Sequence, residues 1–386
     1  MQQRCPHSSL SPLPTNPQPL APNPHTVGFC YVTRVRTDLL DYDLPDELIA
    51  RRPLAERDAS RLLVLDRGEI THRWIRELPD LLPEGALLVV NDTRVRRARV
   101  FGVRRASGGK VELLMLGRHA EPATTDGREV WQALGRSSKP LRPGVIVDAG
   151  RLACEVLERR DDGTLLVAVA APTSVEEVLA EEGRVPIPPY LGREDDADDV
   201  ARYQTVYAER VGSVAAPTAG LHLTPELLAR VTARGIEVGR LELEVGLGTF
   251  RPVVVDELSQ HLMHEETYRV QPALVAQIAA ARARGAAVVA VGTTVVRALE
   301  SAADPASPGR VLPQNTATRL LIQPGYAFRI VDALLTNFHQ PKSTLLALVS
   351  AFAGHEAMRA AYEAAKRERY RFLSFGDAMW LPRRAS

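Results

Sequence analysis

The apolar positions fall into two textures along the chain. Between about 97 and 185 they come in short β-type runs, ARVFGVRR, GKVELLML, VWQALGR and GTLLVAVAA, separated by Gly, Asp and Pro. Short strands at this spacing predict a small β-barrel or sandwich. On either side, strand and helix signals alternate. ALLVV at 86–90 predicts a buried strand running into the polar pair Asn91-Asp92. Thr224-Pro225 opens a helix, with Thr as N-cap and Pro in the first turn, and Gly235 follows its end. IEVGRLELEV then puts Leu241, Leu243 and Val245 on one face and Glu242 and Glu244 on the other, the period of a strand. QPALVAQIAAARARG is a second Pro-opened, Gly-closed helix, AAVVAVGTT a buried strand, and VVRALESA a helix starting from its end. RVPIPPYLGR at 184–193 reads as a stiff connector.

This pattern predicts a mixed α/β protein. An α/β domain is expected over 37–96 and 186–386, with a β-barrel domain inserted at 97–185. The first 36 residues are rich in Pro, Asn and Ser and lack periodicity. Such a segment buries too little apolar surface to offset its ordering entropy, so a disordered extension is expected. It lacks the apolar core of a signal peptide, and no run is long enough to cross a membrane.

Composition narrows the class only slightly. The 386 residues carry a net charge of +1, so no global basic field points to nucleic acid, although a local patch would suffice. Cys5, Cys30 and Cys154 are scattered, which suits a reducing cytosol and argues against a cysteine zinc site.

Several segments carry candidate chemistry. AVGTTVVRALE is a strand, a turn and a helix N-terminus, whose free amides attract anionic or polar ligands. An ordinary strand–turn–helix with a capping Thr would look the same. GSVAAPTAGLHLT is a run of small residues around His222, suited to a ligand or to close backbone packing. TNFHQPKST places Asn337 and His339 just before an apolar helix that Ser343 or Thr344 can cap. RVRRARVFGVRR holds six arginines in twelve residues, a stripe suited to phosphates or simply a solvated face. HLMHEETY offers His261, His264 and Glu266, but the HExxH register of a zinc helix is absent.

The order of these blocks says more than any one of them. YDLPDELIA, RDASRLLVLDR, LLVVNDTRV, PIPPYL, YQTVYA, GSVAAPTAGLHLT, GLGTFRPV, HLMHEETY, AVGTTVVRALE, the IQPGYAFRIVDALLTNFHQPKSTLLALVSAFAG stretch and YRFLSFGDAMWL together resemble the S-adenosylmethionine:tRNA ribosyltransferase-isomerase family of queuosine biosynthesis. The resemblance runs from about Asp41 to the C-terminus. It implies a large, barrel-like α/β domain with the smaller β-barrel inserted.

It also implies an activity. The ribosyl part of S-adenosylmethionine is transferred to 7-aminomethyl-7-deazaguanine at the tRNA wobble position and isomerised, giving epoxyqueuosine and releasing adenine and methionine. The sulfonium acidifies the C5′ hydrogens, and a neutral imidazole is a suitable base at pH 7. Charge moves at each step, so preorganised donors and acceptors around the sugar matter. No metal and no cofactor beyond S-adenosylmethionine as co-substrate is implied.

On that resemblance, His222, His264 and Glu266 are the candidates for proton transfer. Thr218, Gly220, Gly292, Thr293, Thr294, Arg297, Glu300, Asn337, His339, Ser343 and Thr344 are the substrate-pocket candidates. Asn91, Asp92, Thr93, Arg94, Arg96, Arg97, Arg99, Arg104 and Arg105 are the tRNA-contact candidates. The expected setting is a cytoplasmic monomer or weak oligomer acting on tRNA, away from membranes.

Three segments depart from the family. HVGAGTF becomes EVGLGTF, with Glu244 in place of histidine; IPAR becomes RRAR; NFHLPRST becomes NFHQPKST. Glu244 leaves open an altered pKa pattern, an altered substrate or a non-catalytic relative that binds tRNA or S-adenosylmethionine. A metal-dependent hydrolase using His261, His264 and Glu266 is the other alternative.

Overall fold

The computed structural model describes residues 35–119, 124, 126–246 and 253–383. The expected extension lies outside these residues except for Val35 and Arg36, and so does most of GLGTF. Those two are ordered. Val35 is buried and its carbonyl accepts from Leu258 N at 3.0 Å, while Arg36 bridges to Glu257. The structured chain therefore starts before residue 37.

The α/β part is built on a nine-stranded mixed sheet. From one end its strands are Gln314–Thr318, Glu266–Val270, Glu237–Leu243, Leu87–Asn91, Val288–Val291, Ala333–Asn337, Ala378–Pro382, Arg61–Asp66 and Glu69–Trp74. It has two end strands, so the larger part is a sheet rather than a closed ring. The four strands from Glu237–Leu243 to Ala333–Asn337 run parallel. In chain order they lie 2-1-3-4, the arrangement of a doubly wound sheet, with the reversal between Leu87–Asn91 and Val288–Val291. Ligands of such sheets bind beyond the carboxyl ends of the strands near that reversal.

Residues 86–90 are apolar throughout because the strand is covered on both faces. Leu87 and Val89 join one core, with Leu274 and Ile278 of the helix Pro272–Ala283. Leu88 and Val90 join the other, with Leu227 and Val231 of the helix Pro225–Ala233. The predicted caps form as expected: Thr224 Oγ1 accepts from Leu227 N at 3.0 Å and Ser343 Oγ from Leu346 N at 3.2 Å.

The second texture forms a closed six-stranded barrel: Arg99–Arg104, Lys110–Arg118, Glu129–Ser137, Ile146–Ala149, Leu152–Arg159 and Leu165–Ala170. It has its own apolar core, to which the helix Val175–Glu182 adds Val175, Val178 and Leu179. The chain segments entering and leaving the barrel are tied by Arg99 N to Arg184 O at 3.1 Å and Arg184 N to Arg99 O at 2.8 Å.

Candidate active site

Three separate blocks converge at the carboxyl edge of the parallel strands. Val288–Val291 ends in Gly292, whose φ of 95° turns the chain into the helix Thr293–Ser301. A side chain at this φ would be strained, which is why glycine stands there. Among the described residues no side chain caps this helix, which leaves its first amides available to a ligand. The neighbouring strand ends in Thr336 and Asn337 and runs on into His339. The third block is the turn Thr218–His222 with Ala216 and Pro217 before it. Between them opens a cleft of about 610 Å³, part of it open to solvent, also lined by Val245, Ser343 and Tyr190.

The polar atoms in and around this cleft divide into satisfied and unsatisfied ones. His339 Nε2 lies 2.8 Å from Thr336 Oγ1, and its backbone N–H donates to the Tyr362 hydroxyl at 2.9 Å. Burial lowers its pKa to about 3, so the ring is neutral at pH 7. Asn337 Nδ2 reaches both His222 Nε2 and the Leu373 carbonyl, at 3.2 Å each. Burial, assisted by the charge of Arg371, lowers His222 to about 4. By contrast Asn337 Oδ1 and Thr294 Oγ1 are shielded from solvent and have no hydrogen-bond partner among the described residues. Buried polar atoms without partners are few in folded proteins, and in a cleft they mark places for ligand atoms.

Thr218, Gly292, Thr293, Thr294, Asn337, His339 and Ser343 of the expected pocket thus come together. Other expected residues do not. The Glu300 carboxylate accepts from the Arg329, Ile330 and Val331 amides and the Tyr326 hydroxyl, at 2.9–3.2 Å. It anchors a loop and has little capacity left for a ligand. Glu266 and Arg297 are buried against each other as an ion pair. Gly220 packs beneath the Tyr207 hydroxyl, and Thr344 begins the helix that Ser343 caps. His222 lines a smaller hollow behind Asn337 rather than the cleft. His264 is exposed, near the barrel turn at Asp162, whose carboxyl is held low by Thr164 hydrogen bonds and, more weakly, by His264.

The tRNA-contact candidates are mostly occupied within the chain. Asn91 ties two strands together, its Nδ2 donating to Leu243 O at 2.9 Å and its Oδ1 accepting from Leu243 N at 3.1 Å. Thr93 Oγ1 is 2.8 Å from Ser213 Oγ, both buried. Asp92 is buried, and its pKa is raised to about 6 by burial and then by Glu242 and Glu209. Arg96 is buried against Glu176 at 2.9 Å; Arg97 caps the helix Val175–Glu182 through Gly183 O and Ala180 O; Arg99 pairs with Glu112 at 2.6 Å. Arg104 binds Ser137 Oγ and the Lys139 and Pro140 carbonyls, and Arg105 pairs with Asp148. Arg94 and Arg105 stay exposed. The arginine-dense stretch is therefore chiefly a framework of internal contacts, because each guanidinium found a carboxylate or carbonyl nearby.

Sequence reasoning missed Tyr190, Thr336, Gln340, Leu373 and Ser374 as cleft-lining residues. Tyr190 sits in the PIPPYL connector and its hydroxyl meets Ser374. Its presence in one of the ordered blocks was the available signal.

Fold and site define an α/β protein with a cleft at the carboxyl edge of a doubly wound sheet. A family described as queuosine biosynthesis protein matches residues 37–381. The S-adenosylmethionine:tRNA ribosyltransferase-isomerase of Sorangium cellulosum is 55% identical over 366 residues, covering 89% of this chain and 98% of that protein. The enzyme of the same name from Xanthomonas oryzae pv. oryzae is 51% identical over 350 residues, covering 89% and 96%. A crystal structure of S-adenosylmethionine tRNA ribosyltransferase from Thermotoga maritima is 34% identical, with a TM-score of 0.49 and coverage of 89% and 99%. The chain belongs to the queuosine biosynthesis protein family.

Proposed function

We infer that this chain transfers and isomerises the ribosyl moiety of S-adenosylmethionine onto 7-aminomethyl-7-deazaguanine at the tRNA wobble position, giving epoxyqueuosine with release of adenine and methionine. Relatives bearing the corresponding enzyme name at about half identity and nearly full length support this. The observation in the structure that carries the reading is the convergence of APTAGLH, VGTT and TNFHQPKST on one cleft.

We propose that the cleft takes S-adenosylmethionine, with the Thr293 and Thr294 amides and hydroxyls and Asn337 around the sugar. His339 is the neutral imidazole on the cleft. With its pKa lowered to about 3 the ring is a weak base at pH 7, so we assign it a hydrogen-bonding role on the cleft wall beside Thr336 rather than removal of the C5′ proton. The Glu244 replacement falls one residue before the cleft-lining Val245, and its side chain lies toward Gly212. Alternate residues of an extended chain face opposite ways, so this departure leaves the cleft wall intact. Arg94 and Arg105 are the exposed arginines we retain as tRNA contacts, and we place the reaction in the cytoplasm. Among the described residues no helix is long and apolar enough to cross a membrane. The hydrolase alternative finds no support: among the described residues no three His, Cys, Asp or Glu side chains are grouped to hold a metal ion, and Glu266 is held by Arg297.

The test is incubation with S-adenosylmethionine and tRNA carrying the aminomethyl base, followed by mass spectrometry. Adenine and the epoxyqueuosine nucleoside are the expected products; the absence of both overturns the reading.

A further inference from the structure

The contacts of Asn337 fix more than its position. Its Nδ2 faces two groups, the Leu373 carbonyl and His222 Nε2, each at 3.2 Å. A carbonyl only accepts, so the atom facing Leu373 must be the amide NH₂ and not the amide oxygen. The same NH₂ then donates its second hydrogen to His222 Nε2, which must carry a lone pair. His222 is therefore the neutral tautomer with its proton on Nδ1. A hydrogen bond between the ring and the Arg57 backbone opposes the lowering of its pKa, as a contact from a protonated ring nitrogen to a carbonyl does. His222 is buried and lines the hollow behind Asn337, away from the cleft. What remains of the amide is Oδ1, buried and without a partner among the described residues, on a residue that lines the cleft.

We propose that His222 is a positioning residue and that the Asn337 Oδ1 it orients is a specificity-determining acceptor for a hydrogen-bond donor of the substrate. This rests on the function inferred above. The donor is either a ribosyl hydroxyl of S-adenosylmethionine or the N–H of the attacking aminomethyl group. Both present a hydrogen to an acceptor held in place before binding, and either leaves Oδ1 unpaired when it is missing. His222 thus acts through Asn337 and does not take the substrate proton.

The experiment begins with the wild-type enzyme, whose release of adenine establishes the reaction independently. Calorimetry then compares S-adenosylmethionine with analogues lacking the 2′- or 3′-hydroxyl, against wild type and Asn337→Leu. If Oδ1 binds a ribosyl hydroxyl, one deoxy analogue binds wild type about 10- to 100-fold more weakly than the parent. Asn337→Leu then loses the same factor for the parent and no longer distinguishes the analogue. If Oδ1 binds the amine, S-adenosylmethionine affinity is unchanged in the variant and kcat/KM for the modified tRNA falls by a similar factor. A variant that melts like wild type and keeps its affinity, kcat and both KM values within about twofold overturns the proposal. Should the variant not fold, ¹⁵N NMR of wild type decides. An unprotonated His222 Nε2 at neutral pH is expected; a protonated one means the amide is reversed and the proposal fails.

Discussion

Arg297 and Glu266 meet as a buried ion pair, with side chains only 5% and 4% exposed. One stands on the helix Thr293–Ser301, whose first turn lines the cleft, the other on the strand Glu266–Val270. Arg297 Nε also donates to Leu320 O at 3.0 Å, so the pair ties the helix to two further segments.

Removing one partner should strand the other charge in a dry site. Glu266→Gln is expected to destabilise by about 3–5 kcal/mol, whereas an apolar replacement of both residues should be far milder. Denaturant unfolding of the single and double variants measures this. Equal losses in the two would contradict it.

Acid should unfold the protein through its buried histidines. Burial lowers His222 to about 4 and His339 to about 3, below the ordinary 6.5 of the unfolded chain. Above pH 6.5 both states are neutral and nothing is lost. As pH falls below 6.5 the unfolded chain binds protons that the folded one refuses, so stability drops until the folded values are reached. Each histidine accounts for roughly 3–5 kcal/mol over that range. Stability of His222→Gln measured between pH 7 and 4 should decline less steeply than wild type.

Asp92 has the opposite sign. Its pKa is raised to about 6 by burial and by Glu242 and Glu209, so its charged form is disfavoured in the folded state. Asp92→Asn is expected to stabilise by about 1–3 kcal/mol at pH 7. The gain should disappear below pH 4, where the unfolded carboxyl is also protonated. Melting curves of wild type and variant at the two pH values test the crossover.

Gly220 leaves room for a tyrosine. A Cβ there would collide with the Tyr207 hydroxyl and come within 2.9 Å of Thr205 Cγ2. That hydroxyl is itself buried without a partner among the described residues. Gly220→Ala should therefore destabilise by about 1–3 kcal/mol, and adding Tyr207→Phe should recover part of the loss. Non-additivity in thermal denaturation is the readout.

The arginine stretch should behave as structure. Arg96→Glu places an acid beside Glu176, with which Arg96 now pairs at 2.9 Å, and beside the nearby Glu244. It is expected to lower the melting temperature by several degrees, as a loss of 1–3 kcal/mol does in a domain of this size. The slope of log affinity for tRNA against log salt should stay within about 0.3 of wild type, well short of the roughly 0.7–0.9 that losing one phosphate contact removes. A shallower slope with unchanged melting would return Arg96 to the tRNA surface.

Whatever depends on neighbours in the chain was legible in the sequence. The continuous apolar run at 86–90, the alternation at 236–245, the Thr224 and Ser343 caps and the short β-runs of the barrel are local patterns, and their elements form where the patterns lie. The order of the blocks, through the family resemblance it carries, brought Gly292, Thr293, Asn337 and His339 into view as pocket candidates; their local pattern alone fits an ordinary strand–turn–helix equally well. Which polar side chains are free to act was settled by long-range packing. Glu300 is consumed by a loop twenty-nine to thirty-one residues away, Arg96 by a helix eighty residues away, and Asn91 by a strand a hundred and fifty-two residues away. The same folding turned His222 inward and left Asn337 Oδ1 without a partner among the described residues. A side chain's availability is what remains after its long-range contacts are made, and those contacts have no local periodicity.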